Sequence, residues 1–591
     1  MSYLKKYWDT YRGLFLLSVT CVACEAFCDL LQPRLMSRLI DSGAVRGDLA
    51  FVLRMGLVML GVAGAGAVFA LTRNISAARA SQRFGADLRH DLFAKIQSLS
   101  VESMDRFEGG SLVTRMTNDI TQLQNFVNGM MRIFFKAPVM CAGSILMAAT
   151  LNIRTALVIL PIVLLVGFVI AVSMRMSYSR FAKVQEALDR LNTSMREYLG
   201  GIRLVKAFRR FKEEEARFAG ANDLLADSTV RANRILAVLS PCMALFVNLG
   251  IAAMILLGTR WIGSGDLLVG EIVAFVTYMT QLLSSLGHIS NVLNMFVRVA
   301  ASHERIGEVF GCGEPPAMSA ASLPPYRGAP DVGGKERIDR GVQNAPHIEF
   351  DNVGFAYKGS TGQAALDGLC FRVERGETLG VIGPTGSGKS TLAALLMRFY
   401  DVTCGEIRIS GAPIESIPES ELRAKTAVVP QTAALFTGTV RDNLLWGRAD
   451  ASQEQIEEAT RAAQAHEFIA AMPQGCDTMI GQDGVNLSGG QKQRISIARA
   501  LLRGPEILVL DDCTSALDSL TEARAMRAVR QFSGGMTCVL ITQRVHTAMA
   551  CDKILVLENG RQTGFGAHGE LMEACAVYRD IYMSQIGKEA V

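Results

Sequence analysis

An all-α domain of six membrane-spanning helices followed by an α/β domain of the phosphate-loop kind is the fold class that the sequence predicts, on three observations. Six long apolar runs fill the first half, a stretch rich in proline and glycine follows, and the second half alternates short strands and helices around one glycine loop. The chain has 591 residues, half of them hydrophobic (50%), with a mean hydropathy of +0.25, so it is too long for one core and apolar enough for a bilayer. Its net charge of +4 is small and carries no nucleic-acid footprint, so nucleic acid is not an expected partner. The thirteen cysteines are scattered rather than framed as in a small secreted protein, and reduced thiols are expected.

The first element is an N-terminal segment with Tyr3, Leu4, Tyr7, Trp8 and Tyr11 at helical spacing among Lys5 and Lys6, which reads as an interfacial helix on the cytoplasmic leaflet. Six runs then reach roughly 30 Å at 1.5 Å per residue: 14–40, 51–71, 133–151, 156–174, 235–257 and 268–292. The connections 72–132 and 175–234 hold most of the lysine and arginine of the first half, whereas the opposite connections hold little beyond Arg46, Arg154 and Arg260. That asymmetry puts the long connections and both termini in the cytoplasm, in a multi-pass protein of the inner or plasma membrane. Both connections keep helical periodicity, as in Phe84, Leu88, Leu92 and Ile96, and read as extensions of the spanning helices. Breaks at Glu108, Gly109 and Gly110, and at Gly200 and Gly201, leave room for short crosswise helices that turn the chain back.

Two acids, Glu25 and Asp29, sit four apart near the middle of the first span and share a helical face. At that depth they read either as a substrate or ion site or as a structural pair satisfied by a neighbouring helix. Acids there favour a cationic amphiphile as the small-molecule substrate. The membrane domain is expected over 1–310, a linker over 311–346 and the α/β domain over 347–591.

The apolar run 379–382 leads into G-P-T-G-S-G-K-S-T at 383–391. Gly383, Thr385, Gly386, Ser387 and Gly388 can wrap backbone N–H groups around phosphate oxygens. Lys389 adds a point charge, Ser390 a hydroxyl for Mg²⁺, and Thr391 opens an apolar helix whose positive end faces the phosphates. A plain glycine turn is the bland alternative. Further on, I-L-V-L-D-D at 507–512 reads as a buried strand that ends in Asp511, placed to hold Mg²⁺, and Asp512, placed beside the γ-phosphate. Upstream, Ser488, Gly489, Gly490 and Gln491 open a second helix, a second phosphate-binding end.

With these motifs on the page, the chain resembles a half-transporter of the ATP-binding cassette exporter family, over nearly its whole length. The resemblance implies an α/β P-loop nucleotide-binding domain that uses ATP and Mg²⁺. It implies that Tyr357 in F-A-Y-K-G stacks on adenine and that Gln431 in V-V-P-Q reaches the metal. It also implies that Asp518, in S-A-L-D, belongs to a shared interface. In this family two such domains meet head to tail, and each phosphate loop faces the partner's L-S-G-G-Q.

This chain departs from the family pattern twice. Asp512 stands where a glutamate usually polarises the attacking water, and Gln543 stands where a histidine usually touches the γ-phosphate. A carboxylate shorter by one methylene is withdrawn by roughly 1 Å, which can cost about 100-fold in rate. Weak hydrolysis at its own site is therefore expected, beside an intact signature. The economical assembly is a heterodimer with a second half-transporter, like the degenerate-site subunit of bacterial heterodimeric multidrug exporters, exporting small amphiphilic molecules or drugs across the lipid bilayer. A homodimeric lipid or drug flippase and a non-transporting membrane ATP sensor are the alternatives.

Overall fold

The computed structural model describes residues 2–107, 109–263, 267–312, 345–357, 364–532 and 535–587. They separate into a helical N-terminal unit and an α/β C-terminal unit, divided near residue 316. The stretch expected as a linker, 311–346, lies for the most part outside the described residues, as does Glu108.

The helical unit begins with α1 (Ser2–Arg38) and α2 (Leu49–Ser98), followed by the short α3 (Val101–Met104). The third crossing is segmented into α4 (Gly109–Thr114), α5 (Ile120–Gly129) and α6 (Lys136–Leu151), joined by π-helical turns. Then come α7 (Ile153–Gly200), the short α8 (Ile202–Phe208), α9 (Phe211–Gly263) and α10 (Val269–Gly311). Among the described residues, six helices are long and apolar enough to cross a membrane. Pro33, Pro161 and Pro241 lie inside long helices. Such prolines are tolerated where neighbouring helices and side chains satisfy the backbone groups they free.

One expectation is corrected. The N-terminal aromatic segment is not a separate interfacial helix but the first turns of α1, which runs unbroken to Arg38. The Tyr7 hydroxyl donates to Asp91 at 2.6 Å and the Tyr11 hydroxyl to Asp87 at 2.5 Å, while Lys6 pairs with Asp91 at 2.7 Å. Those acids lie on the long extension of α2, so a polar seam ties the start of α1 to it. The short α3 and α8 occur where the chain was expected to turn back. Tyr278 is fully buried between helices and its hydroxyl donates to the Leu30 carbonyl at 2.9 Å, a handle that a buried tyrosine requires.

The α/β unit holds two main sheets. β1 (Ile348–Phe355), β2 (Leu366–Val373), β4 (Cys404–Ile409) and β5 (Ala412–Pro413) form an antiparallel sheet in the order β2-β1-β4-β5. The larger sheet contains β3 (Thr378–Ile382), β6 (Thr426–Val429), β9 (Ile507–Asp511), β10 (Thr537–Ile541), β11 (Lys553–Glu558) and β12 (Arg561–Gly566). Its order is β12-β11-β3-β10-β9-β6, with every pair parallel except β11 with β12. Two-residue strands β7 (Gly438–Thr439) and β8 (Met479–Ile480) pair by themselves. β3 and β10 are buried at every residue, as expected for parallel strands covered on both faces. α11 (Lys389–Leu396) follows β3 and presses Leu392, Leu395 and Leu396 into the core between the sheets.

Candidate functional site

In an open parallel sheet, ligands bind beyond the carboxyl ends of the strands. Here four neighbouring strands, β3, β10, β9 and β6, deliver their following residues to one edge. The residues are Gly383 to Thr391 after β3, Gln543 after β10, Asp511 and Asp512 at the end of β9, and Gln431 after β6. All of these but Gly383, Pro384 and Ser387 line a cavity of about 330 Å³ whose floor is the glycine loop.

Gly388 caps α11 with φ at +95°, a left-handed conformation, and a Cβ there would meet the Ala365 carbonyl at 2.7 Å, so conformation and space both require glycine. The Lys389 ammonium donates to the carbonyls of Gly383 (2.8 Å) and Pro384 (2.7 Å) and is 3.5 Å from the Ser387 hydroxyl. Burial pushes its pKa down, against the pull of Asp512 and Asp511. The Ser390 hydroxyl donates to Asp511 Oδ1 at 3.2 Å. Burial raises the Asp511 pKa, and that hydrogen bond opposes the rise.

Asp512 sits in the left-handed region at φ 45°, which turns its side chain back over the strand ends. Its Oδ2 accepts from the Gln431 amide at 3.2 Å and from the Gln543 amide at 3.3 Å. Burial raises its pKa as well, countered first by the Gln431 bond and then by Lys389 and Arg544. Tyr357 is edge-on to Phe355 (ring centroids 4.8 Å apart) and Tyr400 (5.3 Å), and its hydroxyl lies 3.1 Å from Thr391 Oγ1. It stays 39% exposed, enough to offer a ring face at the cavity mouth.

The other expected residues lie elsewhere: Ser488, Gly489, Gly490, Gln491 and Asp518 do not line this cavity. Ser488 caps the helix Gly489–Leu502; its hydroxyl accepts from the Gln491 amide N–H at 3.3 Å, while Gln491 Oε1 accepts from the Ser488 N–H at 2.9 Å. Sequence reasoning missed what anchors this segment. Gln493 is buried, takes the Ala516 N–H at 3.1 Å and donates to Ser515 at 3.4 Å, tying the signature helix to S-A-L-D. Asp518 caps the next helix by accepting from the Thr521 N–H at 2.9 Å, and bonds of this kind hold its carboxyl pKa low. Buried Glu522 accepts from Thr514 (2.8 Å) and Thr547 (2.8 Å) and pairs with Arg544. Arg544 also donates to the Leu517 carbonyl at 3.2 Å, so Gln543 is followed by the residue that holds 515–517 in place. Neither residue stands out in its polar, arginine-rich helix, so the sequence carried no signal for them.

In the helical unit, Glu25 and Asp29 are paired. Glu25 is buried and accepts from Arg73 and from Lys136 (2.6 Å), and Lys136 also meets Asp29 at 2.9 Å. Of the two readings the sequence left open for these acids, pairing with bases on neighbouring helices is the one the structure displays.

Comparison with known proteins gives this geometry its context. The family described as "ABC transporter transmembrane region" matches residues 15–286, and that described as "ABC transporter" matches 366–515. The chain is 39% identical to the uncharacterised ABC transporter ATP-binding protein YfiB of Bacillus subtilis, over all of this chain and 98% of that one. It is 31% identical to an ATP-dependent lipid A-core flippase of Dechloromonas aromatica, covering 100% of this chain and 97% of the flippase. A solved bacterial Atm1-family ABC exporter with ATP bound superposes with a TM-score of 0.76 at 27% identity, over 99% of this chain and 98% of that one. A helical unit with six apolar crossings, joined to a parallel-sheet unit whose strand ends converge on one phosphate loop, makes this chain an exporter-type half-transporter of the ABC family.

Proposed function

We propose that the chain is one subunit of a heterodimeric exporter of small amphiphilic molecules, and that its own ATP site holds nucleotide better than it hydrolyses it. The observation that carries this reading is the Asp512 carboxylate, which is short and engaged by two amide donors, Gln431 and Gln543, at 3.2 and 3.3 Å. A general base must reach the water it activates, and an acid drawn back by a methylene and held between glutamines is poorly placed to do so. The binding groups are unimpaired. The loop N–H groups and Lys389 take the phosphates, and Tyr357 stacks on adenine. Ser390 and Asp511, hard oxygen donors 3.2 Å apart, fit Mg²⁺ together with the Gln431 carbonyl oxygen, and the metal when bound neutralises charge on the phosphoryl oxygens.

Ser488, Gly489, Gly490 and Gln491 then serve the phosphate loop of a partner subunit that supplies glutamate and histidine. In this reading Asp518 lies at the shared interface, and both termini and the 347–591 domain are cytoplasmic, beyond a linker over 311–346. Closure of the two nucleotide domains drives the membrane helices from inward to outward opening. The test is ATP hydrolysis by the purified chain alone against the chain co-purified with a second half-transporter. The pair is expected to exceed the single chain by at least about tenfold, and equal rates sink the proposal.

A second reading is a homodimeric lipid flippase. It draws support from the relative named as a lipid A-core flippase. Light scattering separates the two: a complex of identical chains that transports without a companion favours this second reading.

A further inference from the structure

A cavity of about 630 Å³ lies among the helices of the membrane unit, and its wall carries Arg73, Arg132 and Lys136. Asp29 is the one carboxylate on that wall among the described residues. Charge counting reverses the expectation drawn from the acids. Glu25 and Asp29 cancel Arg73 and Lys136, two against two, and Arg132 remains, with no ion-pair or hydrogen-bond partner among the described residues. The cavity is therefore formally cationic by one charge.

A second observation points the same way. Arg73 is only 9% exposed, and its Nε is buried without a hydrogen-bond partner although its Nη1 is paired with Glu25. An orphaned buried guanidinium donor is costly, and an anionic oxygen is the acceptor that suits it best. Asp29 and Gln32 also line an adjoining cavity of about 500 Å³ whose α2 wall is apolar, with Met59, Leu60 and Val62. Glu25 lines it too, but like Asp29 it is ion-paired, so a charged subsite continues into a cavity whose remaining wall along α2 is apolar.

We infer that this pair of cavities binds an amphiphile with an anionic head, a carboxylate, phosphate or sulfonate. The head sits against Arg73, Arg132 and Lys136, and the tail lies along α2. This deepens the export reading and rests on it, but binding is measured without ATP, so failure of the hydrolysis assay and failure of this inference are distinguishable.

The test uses the full chain, as its purified assembly, in nanodiscs of phosphatidylcholine. It is titrated with dansyl-undecanoate and with the matching dansyl-undecyl trimethylammonium, reading dansyl fluorescence. The anionic probe is expected to bind about tenfold more tightly. Arg132→Glu, at an exposed and unpaired position, is expected to abolish or reverse that preference, and Arg73→Lys, which keeps the charge and removes Nε, to weaken anion binding severalfold. Competition by phosphatidylglycerol in the disc would assign the head to a bilayer lipid, and its absence to a free amphiphilic anion; both agree with the inference. Equal affinity for the two probes in the unaltered protein overturns it, as does unchanged anion binding in a folded Arg132→Glu variant.

Discussion

On the proposed reading, a single methylene at Asp512 separates nucleotide binding from turnover. Restoring reach and charge together, Asp512→Glu with Gln543→His, is expected to raise hydrolysis at this site by up to about 100-fold. Nucleotide affinity, carried by the loop, should change little; single-turnover hydrolysis beside nucleotide titration checks both. The acid and the amide belong together, since Gln543 donates to Asp512 at 3.3 Å. A second residue predicts behaviour with pH. His347 is buried, its Nδ1 lies 2.6 Å from Thr537 Oγ1, and burial, aided by Arg375, takes its pKa down from 6.5 to about 4. Because the folded pKa lies below the unfolded one, the unfolded chain binds the proton first. Stability from neutral His347 is present above about pH 6.5 and is lost as pH falls towards 4. The loss amounts to roughly 3 kcal/mol at one pKa unit per 1.36 kcal/mol. His347→Gln should flatten the acid limb of full-chain thermal stability between those values, and an unchanged limb would exclude this role. The half-buried acids Asp511 and Asp512 have raised pKa values and pull the opposite way, so the comparison must be between variant and parent.

Among the elements, the signature helix shows how local chemistry and distant anchors divide the work. Its capping box is legible in the sequence as Ser488 with Gln491. Ser488→Ala should cost about 1 kcal/mol of stability. It should leave nucleotide binding at this chain's own loop unchanged, while hydrolysis by a co-purified pair falls about tenfold or more; nucleotide crosslinking and steady-state hydrolysis read the two effects. Gln493 and Glu522 were not legible in this way, because their partners Ala516, Arg544 and Thr547 are 22 or more residues distant and no periodicity announces them. Glu522→Ala leaves the Arg544 charge unpaired and two hydroxyls without their acceptor. Because Arg544 keeps access to water, the α/β unit is expected to lose about 1–3 kcal/mol, mainly from the two hydroxyls, measured by full-chain denaturation. Glu522→Gln, which keeps an oxygen for Thr514 and Thr547 but sets an NH₂ donor against the Arg544 guanidinium, should recover only part of that loss. The first turns of α1 teach the reverse lesson. Their aromatics and lysines suit a membrane surface, yet Tyr7, Tyr11 and Lys6 donate to Asp91 and Asp87 on α2 at 2.5–2.7 Å.

For the whole molecule, the ATP-driven exporter fold accounts for a polar engine on an apolar body. Six apolar crossings, the glycine loop, the Mg²⁺-type acid and the signature all appear in the sequence because each obeys a short-range rule: a length set by the bilayer, a turn that needs glycine, a strand that ends in carboxylates. Those rules determined the fold class and the position of the nucleotide loop, whereas Asp512 and Gln543 stand out only against the family that the sequence resembles. Only the tertiary structure decided which residues meet. The order β3-β10-β9-β6 brings segments separated by more than a hundred residues to one edge, and helix packing sets Arg73 and Lys136 against Glu25 and Asp29. The physical reason is that charge inside a membrane domain is defined by its neighbours. Two acids on one helical face look like a lure for cations until the bases of α2 and α6 are packed against them, and the sum that a ligand meets changes sign.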